Sequence, residues 1–214
     1  MKKASIGIRK SNEKLSKAMS SILRHKADTI GLSIRSDGFV PVRELVQCRN
    51  LRHLAPSFQD IQHEVEVNKK ARFSMIKLDG EWFVRADQGH SMKCVKSEDL
   101  LEVLHKDSDN LPEWVVHGTY LVNWPSIQQR DLLAGGLKGT NFRNHVHFAL
   151  GLPKAGGVIS GMRSDCDLYM YMNVRTALAK GLPLFRSNNG VILTPGIHGR
   201  VPLEFLGSVI KRSD

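Results

Sequence analysis

RFSMIKLDGEWFVRAD, residues 72–87, decides how the first half of the chain is read. Two apolar-rich runs flank Asp79-Gly80. An Asp-Gly pair in that setting signals a tight hairpin, because both turn positions need the left-handed backbone that Gly adopts freely and Asp tolerates. Upstream, Leu15, Met19, Ile22 and Leu23 recur at helical spacing, with Ser11 as the expected N-cap. Val42 to Cys48 reads as a short helix behind Pro41. Ser57 and Asp60 form a capping-box pattern for a helix that carries Phe58, Ile61 and Val65. Helices followed by a β-ribbon compose a winged-helix-like unit, a shape common among nucleic-acid-binding proteins.

Beyond the hairpin the rhythm changes. Lys96 to Pro112 is polar and is the expected linker, with a helical turn over Asp99 to Leu104. WVVHGTY, HVHFAL, DLYMYMNV, GVILT and EFLGSVI read as strands, and WPSIQQRDLLAGG as a helix stopped by Gly135-Gly136. VRTALAKG is a short helix with a Gly stop. The expected class is α+β: a helical and ribbon lobe over 1–95, a linker over 96–112 and a compact β-rich lobe over 113–214.

Composition narrows the function. The 214 residues carry a formal net charge of +10, with 31 Lys and Arg against 21 Asp and Glu. Such an excess points to a polyanionic partner. No apolar run approaches the ~18 residues that span a bilayer, and the basic N-terminus lacks the apolar core of a secretory signal. Cys48, Cys94 and Cys166 are odd in number and far apart, which suits packed thiols in a reducing compartment, cytoplasmic or nuclear. P-loop and Rossmann glycine patterns are absent, as are HExxH and Cys/His zinc spacings, so no metal is expected. GGLKGTNF is glycine-rich but lacks phosphate-loop spacing.

Several basic and polar residues recur at element ends. Arg24 and His25 close the first helix, where cations complement the helix dipole. Lys69, Lys70 and Arg72 form a basic cluster at the start of the hairpin, and RADQGHS follows its second strand. Gly118, between His117 and Thr119, suits either a tight turn or the close approach of a ligand. In FRNHVHFAL, strand alternation puts Arg143, His145 and His147 on one face and Val146 and Phe148 on the other. A solvated edge strand explains that face as readily as a binding site does. Residue types and spacing alone reach a basic, two-part protein that binds phosphate-bearing ligands.

Taken together, the motifs resemble a known family. LSKAMSSILRH, IGLSIRSDGFVPV, VNKKARFSM, VRADQGHS, HGTY, RNHVHFALG, SGMRS and FRSNNGVILTPG stand in the order seen in the RNA 2′-phosphotransferases, over roughly residues 13 to 208. The resemblance implies a winged-helix RNA lobe, an ADP-ribosyltransferase-like second lobe and NAD+ as co-substrate. It also implies an RNA substrate bearing an internal 2′-phosphate, left at a tRNA splice junction, and a monomeric protein. In the implied reaction the 2′-phosphate attacks the anomeric carbon of the nicotinamide ribose and nicotinamide departs. The adjacent ribose 2″-hydroxyl then attacks phosphorus, giving RNA with a free 2′-hydroxyl and ADP-ribose 1″,2″-cyclic phosphate.

By motif, the family's catalytic Arg-His-Arg-Arg set falls on Arg24, His25, Arg72 and Arg143. His117, Gly118 and Thr119 match its dinucleotide motif, with Arg163, Ser187 and Asn188 in motifs near the same ligand. Lys69, Lys70, Gln88 and His90 are the implied RNA or phosphate contacts. The chain departs from the family at Asp87, where Asn is the common form, which leaves Asp87 outside the implied functional set. Two other readings share parts of this pattern: a mono-ADP-ribosyltransferase that caps nucleic-acid phosphate ends, and a non-catalytic RNA-binding protein. The intact arginine and histidine set argues against the second.

Overall fold

The computed structural model describes residues 11–135, 143–152 and 162–212. Gly136, most of GGLKGTNF, Ser160-Gly161 of the SGMRS motif and the first ten residues lie outside the described residues.

Helix α1, Glu13–His25, buries Leu15, Met19, Ile22 and Leu23 on one side, as its spacing requires. Its N-cap is Asn12 rather than Ser11: the Asn12 side chain accepts from Leu15 N at 3.2 Å. Ser11 is drawn elsewhere, donating its hydroxyl to the Glu64 carboxylate at 2.9 Å. Strand β1, Val40–Pro41, leads into α2, Val42–Gln47. Ser57 and Asp60 close the expected capping box on α3, Phe58–Val67.

Glu64 on α3 is 1% exposed. Besides Ser11 it accepts from Asn12 N at 2.8 Å and from Asn68 Nδ2 at 2.9 Å, so this buried acid pins α3 to the start of α1. Glu64→Ala would leave those donors unpaired, at a cost of roughly 2–3 kcal/mol. The expected result is a lower urea midpoint with an unchanged slope; an unaltered midpoint would deny the pin its role.

The hairpin forms as read. Strands β2, Phe73–Leu78, and β3, Glu81–Ala86, pair antiparallel around Asp79 and Gly80, whose φ angles are 47° and 85°. The ribbon gains a third strand that the sequence did not announce, because β1 pairs Val40 with Val84 and Pro41 with Phe83. A two-residue strand has too few positions to show alternation.

The expected linker carries regular structure. Helix α4 covers Ser97–Leu100, and β4, Glu102–Leu104, is extended rather than part of the helical turn expected through Leu104. A distant strand decides this: β4 pairs with β9, Leu184–Arg186, and such pairing overrides local preference.

Further along lie β5, Trp114–Thr119, and α5, Trp124–Arg130. Helix α5 stops earlier than its Gly pair suggested. Asp131 takes φ 65°, its side chain accepts from Leu203 N at 3.3 Å, and the chain turns into β6, Leu132–Leu133. Then come β7, Val146–Phe148, β8, Leu168–Asn173, and α6, Val174–Ala179. Strand β9 is followed by β10, Ile192–Thr194, β11, Arg200–Val201, and β12, Val209–Lys211. EFLGSVI is therefore strand only at its end, since Leu203–Phe205 is a 3-10 turn.

The sheets run β4-β9-β10-β7, β12-β8-β5 and β11-β6, and a Val116–Ala149 bridge ties β5 to the end of β7. The architecture is α+β. One core joins Met19, Leu23, Leu45 and Val84 to Phe185, Val191 and Leu193; a second holds Val115, Phe148, Met170 and Ile192. No helix among the described residues is long and apolar enough to cross a membrane.

Candidate active site

A cleft of about 800 Å³ opens where the end of α1, the start of the hairpin, β5 and the approach to β7 meet. Its lining includes Arg24, His25, Arg72 and Arg143, and also His117, Gly118, Thr119 and Arg163. Residues from Arg24 to Cys166, 142 positions apart in sequence (166 − 24), thus face one space.

The last turn of α1 delivers Arg24 and His25. Arg24 lies across Gly89, whose φ is 86°; a Cβ there would sit 3.5 Å from Arg24 Cδ and Nε. Burial pushes the Arg24 pKa down to about 10, helped by the positive charges of Arg143 and Arg72, while Asp87 opposes the shift. His25 Nδ1 lies 2.9 Å from Ser91 Oγ, and Ser91 N donates to Arg24 O at 2.9 Å. Burial first, then Arg24, Arg143 and Lys26, lower the His25 pKa and favour its neutral ring. Ser91 was not singled out from the sequence, although it ends RADQGHS; a serine contact with a residue 66 positions away leaves no local pattern.

Arg72 is held by its backbone. Its N donates to Asn68 Oδ1 at 3.3 Å, and its O accepts from Asp87 N at 2.9 Å. Arg143 precedes β7 instead of lying on it, so strand alternation does not place it; it is exposed on the cleft wall. Desolvation by the surrounding protein, then Arg163, depresses its pKa. Arg163 itself is exposed, donates to Tyr120 Oη at 3.3 Å and is held above its usual pKa by that contact.

Three histidines hang together behind the arginines. His117 Nδ1 meets His147 O at 2.8 Å, and His147 Nδ1 meets His145 O at 3.1 Å. A carbonyl only accepts, so both Nδ1 atoms carry the proton and each Nε2 is left as an acceptor. His145 Nε2 lies 2.7 Å from Ser97 Oγ. Burial lowers all three pKa values, that of His145 to about 4. His145 and His147 are largely buried yet contribute to the cleft lining.

Gly118 has the Met162 side chain over it, where a Cβ would meet Met162 Cγ and Sδ. Gln88 and Lys70 line the cleft, but Lys69, His90, Ser187 and Asn188 do not. Lys69 is exposed on the turn before the hairpin. His90 is 1% exposed, packs against Gly38, and is pushed by burial to a pKa of about 3. Ser187 is buried and accepts from Val191 N at 3.1 Å, closing its own turn. Asn188 Nδ2 donates to Ser74 Oγ at 3.2 Å, joining that turn to the hairpin. Among the described residues no group of three His, Cys, Asp or Glu side chains is placed to hold a metal ion.

Comparison with known proteins finds relatives over most of the chain. A family model described as RNA 2′-phosphotransferase, Tpt1 / KptA family, matches residues 10–196. A tRNA 2′-phosphotransferase 1 of Danio rerio is 43% identical over 185 residues, covering 86% of this chain and 78% of its own. The tRNA 2′-phosphotransferase of Saccharomyces cerevisiae is 35% identical, covering 96% of this chain and 86% of its own. A probable RNA 2′-phosphotransferase of Pseudomonas syringae is 31% identical over 94% of this chain and 96% of its own.

Proposed function

Because the chain belongs to the RNA 2′-phosphotransferase, Tpt1 / KptA family and is thereby an RNA 2′-phosphotransferase, we propose that it moves the internal 2′-phosphate of spliced tRNA onto NAD+. The observation that carries this reading is the convergence of Arg24, His25, Arg72 and Arg143 on one cleft whose other wall is His117-Gly118-Thr119. At about 800 Å³ the cleft falls in the size range of ligand sites. On this reading residues 1–95 are a winged-helix RNA lobe, 96–112 the connection, and 113–214 an ADP-ribosyltransferase-like NAD+ lobe.

In this mechanism His117, Gly118 and Thr119 seat the nicotinamide-ribose side of NAD+, with the free His117 Nε2 as acceptor, and Arg163, Ser187 and Asn188 serve the same ligand. Ser187 and Asn188 do so from behind the wall, by holding their turn against the hairpin. Lys69, Lys70 and Gln88 belong to the RNA side, and His90, buried against Gly38, supports that side from the interior. A phosphate oxygen forms a bond to the anomeric carbon as the bond to nicotinamide breaks. The ribose 2″-oxygen then bonds to phosphorus, the bond from phosphorus to the RNA 2′-oxygen breaks, and that oxygen ends as a hydroxyl. Guanidinium forks match the phosphate oxygens through both steps, and fixed cations supply most of the stabilisation in phosphoryl transfer. His25, a neutral ring aligned by Ser91, can take the proton of the attacking hydroxyl and return one to the leaving oxygen.

The test is an oligonucleotide with one internal 2′-phosphate, incubated with NAD+. The expected result is one nicotinamide released per 2′-phosphate lost, with none released on the same strand lacking that phosphate. A stable ADP-ribose cap on a 5′-phosphorylated strand, without 2′-dephosphorylation, would favour the capping reading; neither product would leave a binding protein.

A further inference from the structure

The turn after β9 reaches out of the second half of the chain and grips the segment that carries Arg72. Within that turn Gly190 N donates to Ser187 O at 2.8 Å, and Ser187 Oγ donates to Asn189 Oδ1 at 2.7 Å. With its oxygen so engaged, the Asn189 amide turns its Nδ2 outward, where it donates to Lys70 O at 3.2 Å. Beside it, Asn188 holds Ser74, whose hydroxyl donates to Asp87 Oδ1 at 2.6 Å. The two asparagines thus clasp the chain on either side of Arg72. Ala71, between Lys70 and Arg72, has φ 41°, in the left-handed region that a side chain disfavours. Such a backbone persists only where the bonds around it over-determine it. Here the peptide that joins Lys70 to Ala71 is fixed at both ends, its carbonyl by Asn189 and its N–H by Asn68 O at 2.8 Å. The next side chain is that of Arg72, which lines the cleft. The direction in which it leaves the backbone therefore depends on a bond from 119 positions away.

We propose that Asn189, which stands outside the set implied by the family motifs, is a positioning residue for Arg72: by holding the strained peptide before it, Asn189 aims the guanidinium at the reacting phosphate. A fork of donors stabilises a transition state only when it is already pointed at the oxygens that gain charge. The half of the chain that would seat NAD+ thereby sets the aim of a cation supplied by the other half. This inference rests on Arg72 serving the second step of the proposed reaction.

The test is single-turnover kinetics of the whole protein with 2′-phosphorylated RNA and NAD+. Asn189→Ala should slow the second step by about 10–100-fold, the scale of a misaimed group, and build up the same ADP-ribosylated RNA as Arg72→Ala. The KM for NAD+ should stay within about twofold of the parent. Asn189→Asp keeps an acceptor for Ser187, so the turn is preserved, but replaces the donor to Lys70 O with a second acceptor; it should be as slow as Asn189→Ala. In the Arg72→Ala background either change should cost less than about a further twofold, because nothing is left to aim. A parent-like second step in Asn189→Asp, or losses that multiply with that of Arg72→Ala, overturn the proposal and leave the reaction standing. A parent protein that releases no nicotinamide on 2′-phosphorylated RNA removes the proposal together with the reading beneath it.

Discussion

Arg72→Ala and His25→Ala should each lower the rate of 2′-dephosphorylation by about 10²–10³-fold and, in single turnover, build up an ADP-ribosylated RNA that migrates more slowly than substrate. The steps make different demands. Attack on the NAD+ ribose expels a neutral nicotinamide from a cationic precursor, so the leaving group needs little help. Attack of the 2″-hydroxyl on a crowded phosphodiester needs charge neutralised at phosphorus and protons moved. Arg72 supplies the first from a backbone held by Asn68 and Asp87, and His25 the second from a ring aligned by Ser91. A loss of about 3–4 kcal/mol at one such donor accounts for the expected fall. His117→Ala should instead slow consumption of the starting RNA with no slower species, because it acts on the first step. Slowed substrate loss with no intermediate at any time in Arg72→Ala and His25→Ala would refute this division of labour.

Stability should fall steeply below about pH 6.5. His90 and His145 are buried neutral, with pKa values of about 3 and about 4, and His117 and His147 are lowered in the same direction. A folded-state pKa below the unfolded value near 6.5 means that the unfolded chain binds the proton first. The stabilisation is complete above about pH 6.5 and is lost as pH falls toward the folded values, at up to about 1.4 kcal/mol per pH unit for each group. At pH 5, His90 and His145 together would remove about 4 kcal/mol, a large share of a typical domain's stability. Asp87, whose pKa burial raises, works the other way: its penalty is relieved as the pH drops, which offsets part of the loss. His90→Leu should flatten the slope by one proton, since neither His90 ring nitrogen has a hydrogen-bond partner among the described residues. Denaturant midpoints from pH 7.5 to 4.5 measure this; a flat profile in the parent, or identical slopes in the variant, would contradict it.

What the sequence made legible was local. The Asp79-Gly80 turn, the Ser57 box and the apolar spacing of α1 each sit within a few residues, and each forms as read. The four residues expected at the phosphate came from motif resemblance, and they line one cleft. What escaped depends on partners far along the chain. Strand β4 exists because β9 offers it an edge, and Asn12 caps α1 because Glu64 holds Ser11. Asp87 escaped because its partners, Ser74 and Arg85, are joined to it by the register of the hairpin.

Strand β4 also bears on how this protein can vary over time. The short stretch between the two halves completes the edge of the second half's sheet, while Phe185, Val191 and Leu193 pack with Met19 and Leu23 of the first. Neither half is a cassette. A replacement second half brought in by recombination would have to match the residues of α1 at that seam as well as the pairing of Val103 with Phe185. A substitution at that seam in one half therefore has to be matched in the other, and even the exposed turn after β4, residues 105–107, is tied back by Arg175 donating to Lys106 O at 2.7 Å.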